Sequence, residues 1–478
     1  MKRANGHSRP ATAVFVAAVV AAVACGTIPP STLPTAPSAT SILPTSPGEP
    51  SAGTAAPAGL ASQGPFVLFA GQNIGVWLAN PDGSFPTQLS AQWHFGFDLH
   101  HALSPGGDRL ALVTRNETGL DLVEITLPDG ATRTLAHLIR ITPDQLTLDP
   151  TSEKSIAAMM IGEYDTIAWQ PPDGQRIAYA GAEGGPTSDI YIVDTTTGEI
   201  RQLTDGPSQA IFPSWSPDGR HIYHVGVSLV PPFGGAIVGF NRIDGSWAVR
   251  VSDGEIISQP PLVHPSDFLG WLDESHYLAL DWTEELSEVD VGNGDARAPL
   301  MAFCPIADAV RSGDNGTLLL SVLPETKCSS GVGVYLWDPK AANEPALLDP
   351  ERSWGLQWLK ESAVFDVYPM ALFSPDGSIR RDPPVRDSSY HPALSKRGFE
   401  AWEVIENTQG RVVVRVAGGE WREILQTDVA QLMWDPVSGE TLLIAAQDGR
   451  LYAASAPDFV PRIVADLGGS VDQAIWVP

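Results

Sequence analysis

The chain has 478 residues, 43% of them hydrophobic and 18% charged, a balance that builds a real core. Its 45 glycines and 42 prolines demand many turns. A net charge of −27 repels nucleic acid and anionic lipid surfaces, which argues against nucleic acid as a partner.

The chain opens with the basic stretch MKRANGHSRP and continues with the apolar ATAVFVAAVVAAVAC. A charged start and a short apolar core predict a secretory signal over residues 1–24, too short to span a bilayer well. The stretch closes with Ala22, Val23 and Ala24 before Cys25. This resembles the lipobox of bacterial lipoproteins, with Ala22 where leucine is usual. The resemblance implies that Cys25 is acylated, becomes the mature N-terminus and holds the protein outside the cytoplasmic membrane. The alternative is an ordinary signal with an incidental cysteine. Residues 25–64 are rich in Pro, Ser, Thr, Ala and Gly, with Glu49 the lone charge, and cannot build a core. They read as a disordered tether, spanning about 35 Å on average and about 130 Å when stretched.

From Phe66 onward one pattern recurs. Clear copies are IAWQPPDGQRIAYAG (167–181) and PSWSPDGRHIYHVG (213–226). Looser ones are HALSPGGDRLALVT (101–114), GWLDESHYLALDW (270–282) and LMWDPVSGETLLIAA (432–446). Each joins an apolar run to an alternating run through a turn rich in Pro, Asp and Gly. Asp-Gly supplies the positive φ of a tight hairpin, and period-two alternation reads as a strand with one buried face. Further strand–turn–strand units, such as DIYIVDTTTGEIRQLT (189–204), follow or precede the copies. Four antiparallel strands in about 40 to 50 residues, repeated, predict propeller blades.

The repeat resembles the TolB-type, WD-like propeller, whose recurring phrases are WSPDG and IYIVDTTTGEIRQLT. The fold class expected is all-β: a single β-propeller over residues 65–478. Inner-strand positions fall at Leu103, Trp169, Trp215, Trp271, Val310, Trp358, Leu394, Trp434 and Trp476, the tryptophans packing on the neighbouring blade. Nine units exceed the usual four to eight blades, and Val310 and Leu394 are weak matches. Eight blades are therefore favoured, with seven to nine allowed. DQAIWVP (472–478) reads as an inner strand, and PFVLFAG (65–71) begins three outer strands that lack one. Pairing of the two would close the ring and remove its open edges. Residues 136–165 exceed a blade connection and read as an inserted loop over one face, with a short helix begun by Ser152.

Cys304 and Cys328 would meet at one end of a hairpin. A disulfide there would close a loop of about 25 residues and add around 3 kcal/mol; two free buried thiols are the alternative.

No G-x-S-x-G elbow, P-loop, H-E-x-x-H or paired C-x-x-C occurs, so no cofactor is expected. One polar cluster stands out: His94, Asp98, His100 and His101 lie within eight residues. His100 and His101 precede the inner-strand position Leu103; Asp165, Asp267 and His391 hold related places in other units. Such positions converge on a propeller's axis, where they could bind a ligand or divalent cation, or act as acid and base on a sugar. Alternatively they are solvated rim residues. The resemblance to TolB-like proteins implies a non-enzymatic, lipid-anchored, extracytoplasmic module that recognises an envelope protein, peptide or glycan. The competing expectation is a carbohydrate-active lyase or hydrolase working at the funnel.

Overall fold

The computed structural model describes residues 60–61, 64–93, 97–142, 152–230, 240–262, 264, 267–280, 286–297, 306–313, 316–322, 331–341, 344–351, 355–416 and 418–478. Cys25, His94, Cys304 and Cys328 lie outside the described residues, and with them the acylation and disulfide expectations.

Among the described residues nine antiparallel sheets follow one another, eight of four strands and one of three. Blade 1 combines Phe66–Gly71, Gly75–Ala79 and Thr87–Ser90 with the last strand, Gln473–Val477. Phe66 pairs with Val477 and Leu68 with Ile475, so the expected union of the two ends is present. Blade 2 is the three-stranded sheet Arg109–Asn116, Gly119–Thr126 and Thr132–Arg140. Its innermost place is taken by Leu103, bridged to Leu110, after the short helix Leu99–Ala102. Blades 3 to 9 begin on the inner strands Ile167–Trp169, Gln209–Trp215, Phe268–Trp271, Ile306–Arg311, Gly355–Leu359, Ser389–Leu394 and Val429–Trp434.

The molecule is thus an all-β propeller of nine blades, within the range expected but not the eight favoured. Val310 and Leu394 both occupy inner strands. Val310 packs beside Trp358 and Phe365, and Leu394 beside Trp402 and Val404. Without an indole, both sites were hard to count from sequence, yet each fills the same place.

Burial explains the ring. Strand Phe66–Gly71 is buried along its whole length. Alternate residues feed two cores: Val67 and Phe69 meet Met433 and Leu443 of blade 9, while Phe66 and Leu68 meet Leu110 and Leu112 of blade 2. The second strand of blade 6 does the same, with Leu318 and Leu320 turned toward blade 5 and Leu319 toward blade 7. Several middle strands are therefore buried on both faces, not on one as alternation suggested.

Four tryptophans latch their blade to the one before. Trp169 Nε1 donates to the Ala102 carbonyl at 2.8 Å, and Trp215 Nε1 to the Ala168 carbonyl at 2.9 Å. Trp271 Nε1 donates to Ser214 Oγ at 3.0 Å, and Trp434 Nε1 to the Ala393 carbonyl at 3.2 Å. In each case the acceptor residue immediately precedes the inner-strand position of the previous blade.

The turn that follows is just as regular. Ser216 Oγ donates to Asp218 Oδ1 at 2.6 Å and accepts from His221 N at 2.9 Å, while Gly219 takes φ 67°. Ser374, Asp376 and Ile379 repeat the arrangement, with Gly377 at φ 71°. Short side chains here satisfy backbone donors that a hairpin leaves open.

The segment before blade 3 corrects an expectation. Residues 132–140 are an outer strand, and Glu153–Glu163 is a helix capped by Ser152 Oγ, which accepts from Ser155 N at 3.3 Å. Rather than lying loosely over a face, the helix is wedged. Ile156 and Met160 join Ile211 and Tyr223 of blade 4, whereas Ala157 and Ile161 join the core containing Leu120 of blade 2. Burial on both sides accounts for its lack of a polar face.

Candidate functional site

The site is built on the helix Leu99–Ala102. Asp98 caps it, its carboxylate accepting from His100 N at 2.8 Å. Leu99 and Ala102, three apart, are buried; His100 and His101 are left on the other side. Gln473 on the closing strand holds the helix start. Its Oε1 accepts from Leu99 N at 2.9 Å and its Nε2 donates to the Phe97 carbonyl at 2.7 Å.

His101 Nδ1 pairs with the Asp165 carboxylate, which arrives from the residues just before blade 3. The His101 side chain is 62% exposed. The charge of Asp165 pushes its pKa up to about 9, against the opposing effect of burial. At neutral pH it is an imidazolium.

His100 reaches further. Its Nδ1 lies 3.3 Å from Lys360 Nζ, and its Nε2 lies 3.3 Å from Glu361 Oε1. An ammonium can only donate, so Nδ1 accepts and the imidazole proton sits on Nε2, facing Glu361. Burial first, then the Lys360 charge, hold His100 well below its ordinary value. Glu361 is pushed up to about 7, chiefly by burial. Its Oε1 is buried and, at this angle to His100, makes no hydrogen bond.

Lys360 and Glu361 follow the inner strand of blade 7, while His100 precedes the inner position of blade 2. Those blades are not neighbours in the ring, so the contact joins residues from opposite parts of it. Sequence reasoning missed both residues. They occupy WLKES (358–362), where other units carry Ser-Pro-Asp-Gly, and that departure was the available signal.

The structure brings together His100, His101 and Asp165 of the expected set. Asp267 and His391 have partners of their own. Asp267 accepts from His264 N at 2.7 Å in its own loop. His391 Nε2 lies 3.7 Å from Glu403 within blade 8. Among the described residues, no group of three or more His, Cys, Asp or Glu side chains is arranged to hold a metal ion.

The fold makes the chain a nine-bladed propeller with a mixed-charge cluster at its axis. No family model matches it. Over 189 residues it is 26% identical to the uncharacterized protein Atu1656 of Agrobacterium fabrum, covering 38% of this chain and 61% of that one. Over 58 residues it is 45% identical to the uncharacterized peptidase YuxL of Bacillus subtilis, covering 12% of this chain and 9% of that one. The chain therefore spans less than two thirds of either relative. TolB from Acinetobacter baumannii aligns over 77% of this chain and 82% of its own, at 13% identity and a TM-score of 0.24.

Proposed function

We propose that the protein is a recognition module, tethered through Cys25 outside the cytoplasmic membrane, that receives a protein, peptide or glycan group at its axial opening. The carrying observation is the convergence of His100, His101, Asp165, Lys360 and Glu361 from blades 2, 3 and 7 on that opening. Together they offer an imidazolium, an ammonium, an imidazole N–H and carboxylate oxygens, which suits recognition by paired donors and acceptors. A propeller supplies the rigidity such a set needs, because each residue is carried at the end of a packed strand or a capped turn.

A second reading has its own support. Burial raises Glu361 to about 7 and lowers His100, while the charge of Asp165 raises His101 to about 9. Titratable groups driven apart in this way are what acid–base cleavage of a glycan requires.

One experiment separates the two. Wild type and the His100→Ala/His101→Ala double variant are crosslinked on intact cells and, in parallel, incubated with envelope glycan. The recognition reading expects a captured species that the double variant loses, with no glycan cleaved by wild type. Cleavage by wild type that the double variant loses would establish the enzyme instead.

A further inference from the structure

We propose that the cleft between blades 3 and 4 is a binding site for a small oxyanion, a carboxylate or phosphate held between Arg176 and Arg201. The cleft has a volume of about 270 Å³ and is lined by Arg176, Ile192, Asp194, Glu199, Arg201 and Val251, with Ser252 at its edge. It lies apart from the axial cluster and does not depend on that reading.

The pairing of blade 3 puts the key side chains on one face. Arg176 stands opposite Asp194, while Ala178, Ile192 and Arg201 stand in a row across three strands. Side chains directly opposite one another share a face of the sheet. That face looks at blade 4, since Ile192 shares a core with Val249 and Val251.

The lining carries two guanidinium groups, Arg176 and Arg201, and two carboxylates, Asp194 and Glu199. One terminal nitrogen of Arg201 donates to the Val251 carbonyl, which fixes the guanidinium, but its Nε is buried without a hydrogen bond. Asp194 is already in use: its Oδ1 accepts from Thr196 N and Thr197 N, both at 2.9 Å. Those backbone bonds hold its pKa below the usual carboxylate range in spite of burial. Burial, then the charge of Arg176, push Arg201 below its ordinary value, against the opposing charges of Glu199 and Asp253. An oxyanion between Arg176 and Arg201 would accept charge-assisted bonds from their accessible guanidinium nitrogens. Glu199, exposed at the rim, is the protein's own competing acceptor. The small volume admits a compact anion rather than a polymer segment.

The test is calorimetric titration of the full-length protein with inorganic phosphate and with acetate, at constant ionic strength set by chloride. Binding of either anion is expected, weakened about tenfold in Arg176→Gln and tightened in Glu199→Gln. Melting curves without added anion verify that both variants fold. Phosphate and acetate acting no differently from chloride would overturn the site. So would equal binding by wild type and Arg176→Gln. Should Arg176→Gln fail to fold, Glu199→Gln decides alone, and unchanged binding there would count against the proposal.

Discussion

His101 shows how a single side chain couples the axial site to stability. Its pKa rises from an ordinary 6.5 to about 9 through Asp165. The native state therefore holds a proton that the unfolded chain gives up between those values. Stability from this pair is complete below pH 6.5 and is lost as pH climbs through about 9. Glu361, raised from 4.5 to about 7, pulls the same way at lower pH, whereas His100, lowered, opposes it. Above pH 7 His101 dominates the three. Thermal melts of wild type should fall between pH 7 and 9, and His101→Gln should flatten that slope; equal slopes would exclude the pairing. The histidines and Asp165 were legible in the sequence because each sits just before an inner-strand position. Lys360 and Glu361 were not, because nothing local tells a turn which side chain stands across a ring.

At the scale of the element, the blade is specified by a few repeated devices. The Ser-Pro-Asp-Gly turn announces its own hydrogen bonds: a short hydroxyl, a carboxylate two residues on, and a glycine at positive φ. The tryptophan before it is legible as a packing residue. Its donation to the preceding blade is not, since three of the four acceptors are backbone carbonyls. Trp215→Phe keeps most of the apolar contact but leaves the Ala168 carbonyl without its indole donor. A loss of about 1 kcal/mol is expected in urea denaturation, and more than the ring truncation alone would give in Trp215→Leu. The helix Glu153–Glu163 was legible from its Ser152 cap, but its placement was not. A helix buried between two blades carries apolar residues all round, and sequence alone does not say what lies on each side.

At the scale of the whole molecule, the ring is held by continuity of burial. Each pair of adjacent blades shares a core, and the pairing of Phe66–Gly71 with Gln473–Val477 joins blade 9 to blade 2 through blade 1. That closure could be foreseen because an inner strand and three outer strands were each left over. Blade number was harder, because Val310 and Leu394 hold the inner-strand place without an indole and give far less signal. Side chains of blades 2 and 7, which are not neighbours in the ring, meet. That meeting is the central claim, and it is open to direct measurement. Cysteines placed at His100 and Glu361, in a full-length chain with Cys25, Cys304 and Cys328 changed to serine, should be joined within one molecule by a short bifunctional maleimide. The product should appear as a monomer whose two cysteine-bearing peptides are recovered linked by mass spectrometry. Recovery of only singly labelled peptides, under conditions where both thiols react, would contradict a ring that brings these blades together.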